Sequence, residues 1–249
     1  MPQTVLITGA AKRIGRGLAL DFAANGFDVC VHYHASEQEA GTLAEEIRAL
    51  GRKAYLIQAD LSCEKEVCEV FSKLLDVVKP ISVLVNNAST FKYDSITSAT
   101  RNSWDYHLEP NLRAPFILAQ DFANQTKEGL ILNIIDQRVW NLTPHYITYS
   151  LSKVGLWGLT QTLALALAPT IRVNAIGPGP TLRNENQTEA QFAEQCRSMP
   201  LRRGGSIEEI CAAARFFLSA PSVTGQMIAV DGGQHLGWAM PKDAKVRED

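Results

Sequence analysis

Seven short runs of apolar and β-branched residues recur along the chain: Thr4-Val5-Leu6-Ile7, Val29-Cys30-Val31, Ala54-Tyr55-Leu56-Ile57, Ile81-Ser82-Val83-Leu84-Val85, Leu130-Ile131-Leu132-Asn133-Ile134-Ile135, Ile171-Arg172-Val173-Asn174-Ala175 and Met227-Ile228-Ala229-Val230. Each is too short for a helix and nearly continuous in apolar character, the pattern of a strand covered on both faces. Between them the apolar spacing changes to three or four residues. Ile14, Leu18 and Phe22 share one helical face and stop at Asn25-Gly26; Ala40, Leu43, Ile47 and Leu50 form a second stripe that stops at Gly51. Ser36 and Glu39 stand at capping-box spacing before that second stripe, and Val67, Val70, Phe71, Leu74 and Val78 make a third that ends at Pro80. This alternation predicts an α/β fold: a single doubly wound parallel sheet of the Rossmann type with helices on both faces.

The segment 149–168 is apolar almost all round, so its helix belongs either inside the core or against a partner subunit. Two stretches carry neither period, 86–100 and 181–206, and the second is long enough to read as a substrate loop. No linker or repeat divides the chain, which predicts one domain over residues 1–249, with a charged tail at 241–249.

Composition narrows the function classes. With 46% hydrophobic and 20% charged residues among 249, and 24 basic against 26 acidic groups, the chain has enough apolar content to bury and too little net charge for disorder. A net charge of -2 without a basic run excludes a nucleic-acid footprint. The start of the chain has no basic segment before an apolar one, and no apolar stretch approaches the roughly 20 residues of a membrane span, so a cytoplasmic location away from the membrane is expected. The cysteines at 30, 63, 68, 196 and 211 have no Cys-x-x-Cys spacing and read as reduced thiols, mostly of the core. His107, His145 and His235 do not cluster, so no metal is expected. Trp104, Phe116 and Phe122 read as core residues at helical spacing.

Candidate chemistry begins after the first strand, where Gly9 and Gly15 bracket Ala10-Ala11-Lys12-Arg13-Ile14 at the mouth of a helix. Glycines there let the chain approach a pyrophosphate that the helix N-terminus favours, although the same spacing also serves an ordinary tight turn. The second strand ends in His32-Tyr33-His34-Ala35-Ser36, with no acid before Glu37. A site that binds ribose hydroxyls usually places an acid here, and its absence, with Arg13 in the loop and Ser36 at a helix start, favours a cofactor 2′-phosphate and hence NADPH. Further along, Tyr149 and Lys153 lie four apart, on one helical face, where a cation can lower the phenol pKa and ready it for proton transfer.

The order of these parts carries more than any one of them. The glycine loop after strand one, Asp60-Leu61 after strand three, Asn86-Asn87-Ala88 after strand four, Asn111 in the next helix, Tyr149 with Lys153, and Pro178-Gly179 after strand six resemble the short-chain dehydrogenase/reductase family from residue 4 to about 235. Two departures refine the resemblance: Arg13 stands at the middle glycine of the family's loop, and Asp136 replaces the catalytic serine thirteen residues before the tyrosine. Together with residues 32–36 and Asn86-Asn87-Ala88-Ser89-Thr90-Phe91, they resemble the pteridine reductase branch.

The resemblance implies that Gly9, Arg13, Ile14, Gly15, His32, Tyr33, His34, Ser36, Asp60, Leu61, Asn87, Ala88, Ser89, Tyr149, Lys153, Pro178 and Gly179 bind NADPH. It implies Asp136, Tyr149, Lys153 and Asn111 as catalytic residues, with Phe91, Asp136 and Tyr149 against a pterin or folate substrate. Hydride would go to C6 of a dihydropterin and a proton to N5 from Tyr149, with Asn111 holding a water that leads away from Lys153. A homotetramer is also implied, with Trp238 or Met240 candidates to reach a neighbouring site. An ionised carboxylate at 136 disfavours ketone reduction, because it accepts hydrogen bonds only and repels a developing alkoxide. A short-chain reductase of another carbonyl or 3-oxoacyl substrate remains the alternative, and a non-catalytic NADPH sensor a further one.

Overall fold

A computed structural model describes residues 3–75, 77–78, 80–184 and 187–237. All seven predicted runs are strands: β1 (Thr4–Ile7), β2 (Asp28–Tyr33), β3 (Ala54–Gln58), β4 (Ile81–Asn86), β5 (Gly129–Ile134), β6 (Ile171–Pro178) and β7 (Met227–Val230). They form one parallel sheet in the order β3-β2-β1-β4-β5-β6-β7. The strand order reverses between β1 and β4, and the crevice beyond the carboxyl ends of such a pair is where doubly wound sheets bind ligands.

Helices α1 (Arg13–Ala24), α2 (Glu37–Ala49) and α8 (Ile207–Ser219) cover one face of the sheet. Against the other lie α3 (Glu64–Leu75), α5 (Ala114–Gln125) and α6 (Ile147–Ala166). The apolar stripes read from the sequence point inward, with Leu18 and Phe22 of α1, Leu43 and Ile47 of α2, and Val70 and Phe71 of α3 buried among the strand residues; Leu50, expected in the second stripe, caps the end of α2 and is exposed. None of the described helices is long and apolar enough to cross a membrane.

Several local expectations are corrected. The 181–206 stretch is not irregular throughout: it contains α7 (Glu189–Arg197), started by a capping box between Thr188 and Gln191. Ser36 precedes α2 without forming a capping box, because Glu39 pairs instead with Lys12 at 2.7 Å. Asn111 does not sit in an ordinary helix but in a π-turn, Glu109–Arg113, that joins α4 (Arg101–Leu108) to α5. Phe122 is buried and Phe116 packs partly against the core, whereas Trp104 is 43% exposed. Cys30 and Cys211 are buried, but Cys68 is exposed, and all five cysteines are free thiols. The tail 241–249, Trp238 and Met240 lie outside the described residues.

Candidate active site

The site starts from the first turn after β1. Gly9 has φ +60 and its backbone passes so close to Ala88 that a Cβ would sit 3.0 Å from the Ala88 Cα. A Cβ on Gly15 would lie 2.3 Å from the Gly9 carbonyl oxygen, so both glycines are required by the tight loop itself. Thr8 and Asn87 hold this turn to the end of β4: the Thr8 hydroxyl accepts from the amides of Asn87 and Ala88, and Asn87 Nδ2 donates to the carbonyls of Thr8 and Gly9.

Beside the loop lies a cleft lined by Gly9, Lys12, Arg13, Ile14, Gly15, Tyr33, His34, Ser36, Ala88 and Ser89, among others. Most of the residues expected at the cofactor therefore meet in one place. His32 does not. It is buried, its Nδ1 accepts from the Gly9 amide at 3.0 Å, and its Nε2 faces the Ala59 carbonyl at 3.2 Å. Both nitrogens are committed, which assigns a neutral ring with its proton on Nε2, and burial pushes its pKa down to about 4. His32 thus braces the glycine loop from behind, outside the cleft lining.

Asp60 and Leu61 are likewise outside the cleft lining; Asp60 Oδ1 accepts from the Ser62 amide and hydroxyl and closes the turn into α3. Arg13 occupies the left-handed region at φ +54, the conformation for which a glycine at this position is suited. Its guanidinium donates to the carbonyls of Arg183 at 3.0 Å and Leu182 at 3.2 Å, joining the glycine loop to the substrate loop.

A second cavity adjoins the first and is lined by Arg13, Phe91, Asp136, Gln137, Arg138 and Tyr149, with Pro178, Gly179 and residues of the loop beyond them. Here Tyr149 donates its hydroxyl hydrogen to Asp136 Oδ2 at 2.9 Å. The same oxygen faces Arg138 Nη1 at 3.2 Å, while Asp136 Oδ1 accepts from the Arg138 amide at 2.8 Å. Asp136 is therefore both the cap of a short 3-10 turn and the partner of the tyrosine. Phe91, 41% exposed, stacks on Tyr146 at 4.6 Å and meets Tyr149 edge-on at 4.7 Å.

The electrostatics differ from the simple tyrosine–lysine expectation. Burial, followed by the negative charge of Asp136, raises the Tyr149 pKa well above its ordinary value, with only Arg138 opposing. Lys153 donates to the Ile134 carbonyl at 3.0 Å and lies 5.9 Å from the Tyr149 ring centroid, so it does not depress that pKa here. Burial lowers Lys153 itself to about 8, against the pull of Asp136. The arrangement keeps Tyr149 a phenol, the form that can give up a proton.

Asn111, expected in a water relay, has a side chain engaged within the protein. Its Nδ2 donates to the Thr90 carbonyl and the Ser152 hydroxyl, and its Oδ1 accepts from the Thr90 amide at 2.8 Å. Both amide hydrogens are committed, so the side chain clamps the Phe91 segment to α6. A buried chain from Asn86 through Asn133 to Thr160 ties α6 to the sheet. The sequence reading missed this chain and Arg138. Asn133 inside an apolar run was the available signal for the first; a charged residue two beyond Asp136 was the signal for the second.

A family model described as enoyl-(acyl carrier protein) reductase matches residues 9–235. The chain belongs to the short-chain dehydrogenase/reductase family, and it is an oxidoreductase of that family. It is 32% identical over 247 residues to 3-oxoacyl-[acyl-carrier-protein] reductase FabG of Staphylococcus epidermidis, covering 95% of this chain and 100% of that one. Glucose 1-dehydrogenase 2 of Bacillus subtilis is 31% identical, covering 94% and 95% of the two chains. The crystal structure of FolM alternative dihydrofolate reductase 1 from Brucella suis in complex with NADP superposes with a TM-score of 0.93 at 44% identity, covering 97% of this chain and 98% of that one.

Proposed function

We propose that the protein is an NADPH-dependent reductase of dihydropterins, a class that includes dihydromonapterin, dihydrobiopterin and dihydrofolate. The observation that carries this reading is the Asp136 carboxylate, hydrogen-bonded to the Tyr149 hydroxyl and set beside the exposed Phe91 ring. The 44% identity to an alternative dihydrofolate reductase solved with NADP supports it.

The cleft fits the cofactor. Its glycines leave the space that a Cβ would fill, and its far end is lined by Lys12, His34 and Ser36, with the neighbouring acids Glu39 and Asp60 set against Lys12 and His34 and outside the lining itself. Ser36 would donate to a 2′-phosphate there, with Lys12, which otherwise pairs with Glu39, as its cation, and Lys153 would hold the nicotinamide ribose. When bound, NADPH supplies the hydride; the protein orients the acceptor and provides the proton. Phe91 offers a flat wall to a pterin ring. Asp136, an acceptor, holds ring N–H groups of the substrate, and Tyr149 gives its proton to N5. Arg138 and Lys153 then flank the phenolate that is left until solvent restores its proton.

Reduction of a 3-oxoacyl thioester is the second reading, favoured by the FabG relatives. It requires a donor toward a developing alkoxide where this chain has a carboxylate. A panel of dihydropterins, dihydrofolate, 3-oxoacyl thioesters and simple ketones, followed by NADPH consumption, separates the two. Turnover of dihydropterins is expected, and Tyr149→Phe should lower kcat by a factor of about 100 or more while NADPH affinity is kept. Turnover of thioesters alone would replace the pterin reading. Full biological effect in a Tyr149→Phe variant would point to a sensor.

A further inference from the structure

Phe91 is bracketed by two buried side chains. On one side Asn111 holds both the amide and the carbonyl of Thr90; on the other the Lys92 amide donates to Nε2 of His107 at 3.0 Å. His107 lies on α4 and is fully buried. Because Nε2 accepts, the proton of the neutral ring is on Nδ1, which is 2.7 Å from the Thr148 hydroxyl oxygen. Thr148 in turn donates its hydroxyl hydrogen to Asp94 Oδ2. Asp94 Oδ1 accepts from the Thr148 amide at 3.3 Å, and the Asp94 carbonyl accepts from the Tyr146 amide at 2.8 Å.

These bonds run from His107 through Thr148 to Asp94, and the Ser103 carbonyl offers the Thr148 hydroxyl a second, longer acceptor at 3.2 Å. They join three parts of the fold: α4, the segment after β4 that carries Phe91, and the start of α6 that carries Tyr149. They also fix Tyr146, which occupies the left-handed region at φ +58 and stacks on Phe91. Non-glycine residues persist in that region where their surroundings over-determine them, commonly at functional sites. A buried polar network with every member partnered specifies one geometry, which an apolar cluster of similar volume does not.

We propose that His107 is a positioning residue of the reaction: through its acceptor bond from the Lys92 amide and the relay to Thr148 and Asp94, it sets the Phe91 wall of the substrate cavity. This rests on the reading of Phe91 as the surface against which the substrate lies. His107 lines neither cavity, and although its ring meets that of Tyr149 edge-on at 5.9 Å it does not bond the Tyr149 hydroxyl, which Asp136 holds, so its loss acts chiefly on substrate affinity.

The test compares His107→Ala, His107→Gln and His107→Asn in the full chain, with dihydrobiopterin as the substrate. His107→Ala should raise KM about tenfold, with kcat changed by less than about threefold and NADPH affinity unchanged. Gln places an acceptor near the position of Nε2 and should restore most of the affinity; Asn reaches only the position of Nδ1 and should not. Equal losses in all three, an unchanged KM in a folded His107→Ala, or a fall confined to kcat would overturn the proposal. If His107→Ala fails to fold, Thr148→Val removes the relay with little change of volume and should raise KM in the same way; an unchanged KM there overturns it equally. Phe91→Ala separates the two readings. An unchanged KM in that variant defeats the stacking assignment, whereas a raised KM beside a silent His107→Ala defeats only the role of His107.

Discussion

Lys153 is a buried cation whose charge depends on a neighbour. Burial brings its pKa from 10.5 down to about 8, and the negative charge of Asp136 keeps it from falling further. The ammonium is therefore present below about pH 8 and is lost as pH rises through that value. If Lys153 holds the nicotinamide ribose, NADPH affinity in the free enzyme should decline across the same window. Asp136→Asn removes the charge that raises Lys153, so the inflection should move to lower pH. Fluorescence titration of NADPH binding from about pH 6 to about pH 10 reads both effects. A flat profile, or the same inflection in the two proteins, would show that the Lys153 charge does not govern binding. The same carboxylate also accepts the Tyr149 hydroxyl, so Asn at this position should lower turnover even where NADPH binds well.

At the scale of elements, the entry to α1 shows how one residue can serve two purposes at a backbone cost. Arg13 holds φ +54, which costs a non-glycine residue roughly 1–2 kcal/mol, and its guanidinium ties the glycine loop to the carbonyls of Leu182 and Arg183. Arg13→Gly and Arg13→Ala both remove that tie, but only glycine relieves the strain. The glycine variant should therefore melt about 2–4 °C above the alanine variant, as a difference near 1 kcal/mol does in a domain of this size. Equal melting temperatures would show that the backbone there is not strained. The strands and the inward faces of α1, α2 and α3 were legible in the sequence because their periods are set by burial alone. So were the glycines of the loop and the pairing of Tyr149 with Lys153 on one helical face, since these follow from local geometry. The contacts of His32, Asn111 and Arg13 were not, because each depends on a partner brought near by the fold: Gly9 for His32, Thr90 for Asn111, and Leu182 for Arg13. The helix α7 was missed because its stripe is polar and none of its residues is buried.

For the whole molecule, α6 poses the question that its apolar sequence raised. Tyr149, Lys153, Leu156, Thr160 and Ala164 face inward, yet Leu151 is 46% exposed, Val154 38% and Leu165 83%. Covering a fully exposed leucine contributes about 1.5–3 kcal/mol, so a second copy of the chain packed against this face would gain most of that at Leu165 and a part of it at Leu151 and Val154. We propose that the protein associates with itself through α6, as a homotetramer, which would also steady the helix that carries Tyr149 and Lys153. In a monomer the outer leucines touch little, and an acid there should leave folding within about 0.5 kcal/mol of the parent. At an interface the same charge would be buried without a partner. The doubly substituted Leu151→Glu, Leu165→Glu protein should therefore keep its circular dichroism spectrum while sedimenting as a smaller species than the parent at micromolar concentration. A parent that sediments as a monomer would defeat self-association outright; an oligomer untouched by the two substitutions would move the interface away from α6.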